Sequence, residues 1–122
     1  AIGRRFHAAG ARVVVHYRSS SGEAEALFGE LNAARPGSAV GHAADLLDLA
    51  ALPGIVAAAV SAFGRLDILV NNASTFYPTP VGEITPAHWD DLMGTNLKAP
   101  LFLSQAAATL LAVQGGLILN MV

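Results

Sequence analysis

Cysteine is absent from this sequence, so it can form neither a disulfide nor a thiolate metal site, which suits a cytoplasmic protein. Charge is scarce too. Asp, Glu, Lys and Arg together make up 13%, against roughly 25% in an average domain. Seven basic and nine acidic side chains sum to −2, a balance with no basic footprint for nucleic acid or an anionic membrane surface. No apolar run reaches the ~18–20 residues that span a bilayer. Lysine occurs once, at Lys98, and neither Tyr17 nor Tyr77 is followed by a lysine four residues on. No metal centre is expected. What remains is apolar and small: 53% hydrophobic residues and 24 alanines among 122, with a mean hydropathy of +0.49. Such a chain makes at most one helix-rich domain, hiding about two-thirds of its unfolded surface.

The spacing of apolar residues and turn formers predicts an alternating order. Residues 2–9 read as a helix end capped by Gly10. Val13-Val14-Val15 is a β-branched run, hence a strand buried on both faces over 11–17. Ser20 or Ser21 caps a helix to about Ala34, Pro36-Gly37 turns the chain, and a short strand covers 38–42. Pro53 opens a helix with an Ile55, Val56, Ala59, Val60, Phe63 stripe, and Gly64 closes it. A strand over 66–70 follows. Thr85-Pro86 starts a helix to about Val113, which Pro100 must kink or break. Gly115-Gly116 leads into a last strand over 117–122. Helix and strand alternate four times with short turns, so the expected fold is α/β: a doubly wound parallel sheet with right-handed crossovers.

In open parallel sheets ligands sit beyond the carboxyl ends of the strands. Three such ends carry unusual residues: His16-Tyr17-Arg18-Ser19-Ser20, Asp45-Leu46 and the loop Asn71-Asn72-Ala73-Ser74-Thr75-Phe76-Tyr77-Pro78-Thr79-Pro80. A dinucleotide site for NAD places an acid at the end of its second strand, whereas NADP needs a cation and donors. No acid follows Val15 until Glu23, while Arg18 offers a planar fork of donors and Ser19 and Ser20 offer hydroxyls. These residues could equally be a solvated loop and a helix cap, and His16 a packed histidine. Asp45 suits either an adenine amino group or a turn. Asn71 and Asn72 can bond backbone groups of neighbouring strands, or simply turn the chain, and small Ala73 admits a ligand to the backbone.

The stretches "DLL", "GRLDILVNNAS", "ITPAHWDDLMGTNLKAPLFLSQAA" and "GGLILNMV" together resemble the short-chain dehydrogenase/reductase family over essentially the whole chain. Within it, "VVVHYRSSS" and "NNASTFYPTP" are similar to the pteridine reductase branch, with Ser74 where most members have glycine. The resemblance implies a Rossmann-like NADPH domain over residues 1–122. His16, Tyr17, Arg18, Ser19, Ser20, Asp45, Leu46, Asn71, Asn72, Ala73 and Ser74 would lie around the cofactor. Ser74 and Phe76 would hold a pterin or folate ring, Phe76 by stacking, unless Phe76 and Tyr77 only plug the loop. It also implies a homotetramer packed through the helices around 86–113. Asn96 matches the family's catalytic asparagine, which holds a water in a proton relay. Pro100, four residues on, lacks the N–H that would otherwise bond the Asn96 carbonyl, although a simple mid-helix asparagine remains an alternative.

Two family features are missing from these residues. The glycine-rich phosphate loop is not present, because Gly3 stands one helical turn too close to Gly10, and no Tyr-x-x-x-Lys occurs. The expectation is therefore an internal piece of a longer reductase, with its first strand and C-terminal strands absent and a gap in mid-sheet. Rival expectations are a 3-oxoacyl or sugar reductase of the same family, and a non-catalytic nucleotide-binding member.

Overall fold

Short-range chemistry starts and stops the helices. Thr85 Oγ1 accepts from the His88 N–H (3.3 Å) and His88 Nδ1 accepts from the Thr85 N–H (3.1 Å). This is a reciprocal capping box with histidine in the usual Glu place. Asp48 Oδ1 accepts from Ala50 N (3.0 Å) and starts a 3₁₀ turn, Leu49–Ala51. Gly64, at φ 78°, ends the helix that follows. Two expected caps differ. Ser20 occupies an N-cap position but its hydroxyl makes no cap bond, and Ala9 is the C-cap of the first helix, with Gly10 (φ 102°) turning the chain just after it.

The computed structural model describes residues 1–122. Its elements are α1 (Ile2–Ala8), β1 (Val13–Tyr17), α2 (Ser21–Ala34), β2 (Ala39–Ala43), α3 (Leu52–Phe63), β3 (Ile68–Asn71), α4 (Pro86–Met93), α5 (Ala99–Gln114) and β4 (Leu117–Asn120). A π-helical turn, Gly94–Lys98, joins α4 to α5. The break expected at Pro100 is thus a widened turn just before it, and Pro100 stands in the first turn of α5, where a missing N–H costs little. The last strand stops at Asn120 rather than Val122.

β1 pairs with β2 in parallel, Val13 opposite Ala39 through Tyr17 opposite Ala43. β3 pairs with β4 in parallel, Ile68 opposite Leu117 through Asn71 opposite Asn120. β1 and β3 do not pair with each other. Between them runs a slot of about 480 Å³, lined by Val13–Val15 on one side and Ile68–Val70 on the other. This is an incomplete Rossmann-like α/β arrangement, two parallel halves with an open slot between them, where a doubly wound sheet has its central strand. The slot corrects one expectation: β1 is half-buried at every position rather than buried on both faces.

The core lies between α3, α5 and the sheet: Leu46, Leu52, Val56, Ala99, Leu103, Ala107 and Leu111. Ala99 and Ala107 are wholly buried, and their small side chains let α5 lie close to its neighbours. Val56 and Ala59 of the expected α3 stripe are buried, but Val60 faces outward.

Candidate functional site

At the tip of the first half-sheet, backbone and imidazole tie β1 to the chain leaving β2. Ala44 N donates to Tyr17 O (3.0 Å), and His16 Nε2 donates to Ala44 O (2.8 Å). His16 is therefore occupied structurally, with its proton fixed on Nε2. Arg18 follows directly, exposed, with Nη2 3.5 Å from Asp45 Oδ2. Both groups are well solvated, so this pair is worth at most about 1 kcal/mol. It orients the guanidinium and leaves most of its donors free. The second oxygen of Asp45 accepts from Leu47 N (3.0 Å), forming a turn. Ser19 and Ser20 are exposed beside Arg18, whereas Leu46 is buried in the core and lines the slot.

At the tip of the second half-sheet Asn71 is buried. Its Nδ2 donates to Asn120 Oδ1 (2.8 Å) and Ser104 Oγ (3.3 Å). Side chains, not the neighbouring backbone, take up this amide, because the β3–β4 register sets Asn71 directly opposite Asn120. Asn72 and Ala73 leave the strand exposed, and with Asn71 they line the slot's mouth together with Thr95 and Pro100. The slot thus gathers His16, Leu46, Asn71, Asn72 and Ala73. It does not gather Tyr17, Arg18, Ser19, Ser20, Asp45, Ser74, Phe76 or Asn96.

Ser74 and Phe76 ride on the loop that continues from β3. Phe76 is 89% exposed, so its ring does not plug the interior. Asn96, on the π turn, grips this loop: its Oδ1 accepts from Thr75 N (3.0 Å) and its Nδ2 donates to Thr75 O (2.7 Å). Further along, the Tyr77 hydroxyl donates to Asp91 Oδ2 on α4 (2.8 Å). That hydrogen bond, with lesser help from burial and the carboxylate's charge, holds the phenol above its ordinary pKa. Nothing local in the sequence marks Thr75, Asp91 or Asn120 as partners, since these contacts join residues 14 to 49 positions apart.

No three His, Asp or Glu side chains converge in a way that could hold a metal ion, and no helix is long and apolar enough to cross a membrane. The arrangement offers a cation at one strand tip, amides and open backbone at the next, and an unpartnered aromatic ring beyond them.

The short chain dehydrogenase family model matches residues 1–122. An uncharacterized oxidoreductase of Methylorubrum extorquens is 38% identical over 120 residues, covering 98% of this chain and 48% of that protein. Pteridine reductase 1 of Leishmania tarentolae is 37% identical over 138 residues, covering 88% and 48%. D-threitol dehydrogenase of Mycolicibacterium smegmatis is 34% identical over 122 residues, covering 99% and 46%. The chain spans about half the length of these curated relatives. Strand ends, interrupted helix and family match agree: this chain belongs to the short-chain dehydrogenase family.

Proposed function

We propose that these residues form the adenosine-binding and substrate-loop part of an NADPH-dependent reductase that acts on a C=N bond of a dihydropterin or dihydrofolate. The observation that carries this reading is Phe76, whose ring stands free in solvent on a loop fixed at its neighbours. A large apolar ring left uncovered on an anchored loop is suited to receive a flat partner. The similarity to a pteridine reductase supports the same choice.

The residues present fit one end of the cofactor. Arg18, with donors free beside Ser19 and Ser20, would hold a 2′-phosphate. Asp45, Leu46, Asn71, Asn72 and Ala73 would border the remainder, and Ser74 would sit between cofactor and substrate. Ala1, the N-cap of α1, makes no side-chain cap bond and residues 1–122 hold no glycine-rich turn at a helix start, so these residues offer no pyrophosphate cradle of the usual kind. Bound NADPH supplies hydride. The chain's own part is to orient the flat ring through Phe76 and Ser74 and, at Asn96, to hold the loop while supporting proton delivery to the reduced nitrogen. These residues contain no Tyr-x-x-x-Lys. Exposed Trp89, Leu97 and Leu101 on and between α4 and α5 support assembly of the complete protein as a homotetramer through these helices.

Turnover of 7,8-dihydrobiopterin, of a 3-oxoacyl thioester and of a sugar alcohol should be compared on the complete protein with NADPH or NADP⁺. Pterin turnover is expected to dominate. The similarity to D-threitol dehydrogenase favours polyol or carbonyl chemistry as the second reading, and turnover of those substrates without pterin turnover would establish it instead.

A further inference from the structure

The loop after β3 has a two-residue rhythm. Ser74, Phe76, Pro78 and Pro80 are exposed, while Thr75, Tyr77 and Thr79 are partly buried. Extended backbone turns successive side chains to opposite sides, so fixing the odd positions decides where the even ones point. Two are fixed. Thr75 is held through both its backbone groups by Asn96. Tyr77 is held at its far end by Asp91, with its ring edge-on to His88 at 5.7 Å and 66°. His88 is itself locked in the capping box that starts α4.

Phe76 and Tyr77 are neighbouring aromatics of almost the same size. Either ring could cover an apolar partner, and a slip by one residue would exchange them, as in any strand of period two. The one chemical difference is the hydroxyl, and only a hydroxyl can donate to the Asp91 carboxylate. We propose that the Tyr77–Asp91 hydrogen bond is a register latch, and that Tyr77 is a positioning residue for flat substrates which acts by keeping Phe76 outward. The inference rests on the reading of Phe76 given above.

The phenol stays protonated, and so able to donate, throughout the neutral range. A charge-assisted hydrogen bond is stronger than a neutral one, and here it is the feature that distinguishes the two registers. Without it, Phe76 and Tyr77 compete for the outward place.

The test is a mutant cycle on the complete protein with 7,8-dihydrobiopterin and NADPH, read together with hydrogen exchange of the loop amides in the substrate-free protein. Tyr77→Phe and Asp91→Ala are expected to raise KM for the pterin about tenfold or more, the loss of one charge-assisted hydrogen bond, with KM for NADPH unchanged. Asp91→Asn, which keeps an acceptor, should restore most of the affinity. In a Phe76→Leu background Tyr77→Phe should add nothing further. The amides of residues 74–77 and of Thr79 should exchange faster in Tyr77→Phe and not in Phe76→Leu. Unchanged loop exchange in Tyr77→Phe overturns the latch, as does an equal KM rise in both backgrounds. If Phe76→Leu leaves pterin KM unaltered while Tyr77→Phe still frees the loop, the pterin reading falls and the latch stands.

Discussion

Replacing Asn96 by aspartate alters one end of one side chain and should cost, at pH 7, at least as much as deleting the amide altogether. In the native arrangement Oδ1 accepts from Thr75 N at 3.0 Å and Nδ2 donates to Thr75 O at 2.7 Å. Asn96→Ala removes both bonds at a solvent-exposed site, where the freed backbone groups can find water. At about 0.5–1.5 kcal/mol per bond, with little desolvation penalty, the loss is about 1–2 kcal/mol. Asn96→Asp keeps the acceptor for Thr75 N but sets a carboxylate oxygen against the Thr75 carbonyl, so two acceptors repel and the loop must move away. Its cost at pH 7 should equal or exceed that of alanine. Protonation reverses the sign. A neutral carboxyl donates to the carbonyl, so the folded protein raises this carboxyl's pKa above its unfolded value of about 3.9. The stability so gained is complete below that unfolded value and is lost as pH rises through the folded one. Exchange of the Thr75 amide and urea midpoints should therefore place Asn96→Asp near wild type around pH 3 and at or below alanine at pH 7, with alanine flat between them. Native-like protection of Thr75 at pH 7 in Asn96→Asp would refute the two-bond account.

Three other outcomes follow from distances already given or from similar geometry. A Cβ on Gly116 would lie 2.7 Å from the Asp67 carbonyl oxygen and 2.5 Å from Leu111 Cδ2, and that carbonyl also receives Leu117 N at 3.0 Å. Gly116→Ala should thus cost about 2–3 kcal/mol in urea unfolding, whereas Gly94→Ala, which meets only the mobile end of Leu47, should stay within about 0.5 kcal/mol of wild type. Arg18→Ala in the complete protein should weaken NADPH about tenfold or more while leaving NADH unaffected; equal losses for both cofactors would remove the 2′-phosphate role. Tyr77 should ionise later than an ordinary phenol because of its hydrogen bond to Asp91. Its contribution to stability is therefore complete below about pH 10 and lost as pH climbs through the folded value. Tyrosinate absorbance should show this late transition, shifted back down by Asp91→Ala.

The element order was readable because each signal was local: a β-branched triplet at 13–15, Thr85-Pro86 at a helix start, Gly64 at a helix end. The open slot was readable too, since a doubly wound order needs a strand that no segment before Val13 supplies. Contacts between distant residues were not. Asn71 gives no hint that Asn120 will stand opposite, because register is a property of two strands. Asn96 could be marked by its spacing to Pro100, yet its grip on Thr75 depends on how the π turn aims it. Ser20 shows the opposite failure: a good capping residue at the right place whose hydroxyl goes unused.

Helix α3 has a burden out of proportion to its length. It touches β1 and β2 on one side and α5 on the other, and its last residue, Phe63, receives Arg12 both at its carbonyl (3.4 Å) and over its ring (5.1 Å). With the slot open, the two strand pairs share no ladder, so this one strap carries most of the cohesion between them. Thermal disruption should begin as a parting of the halves, each still carrying its own hydrogen-bonded pair. Circular dichroism would then retain its secondary-structure signal at temperatures where the environment of Phe63 has already loosened.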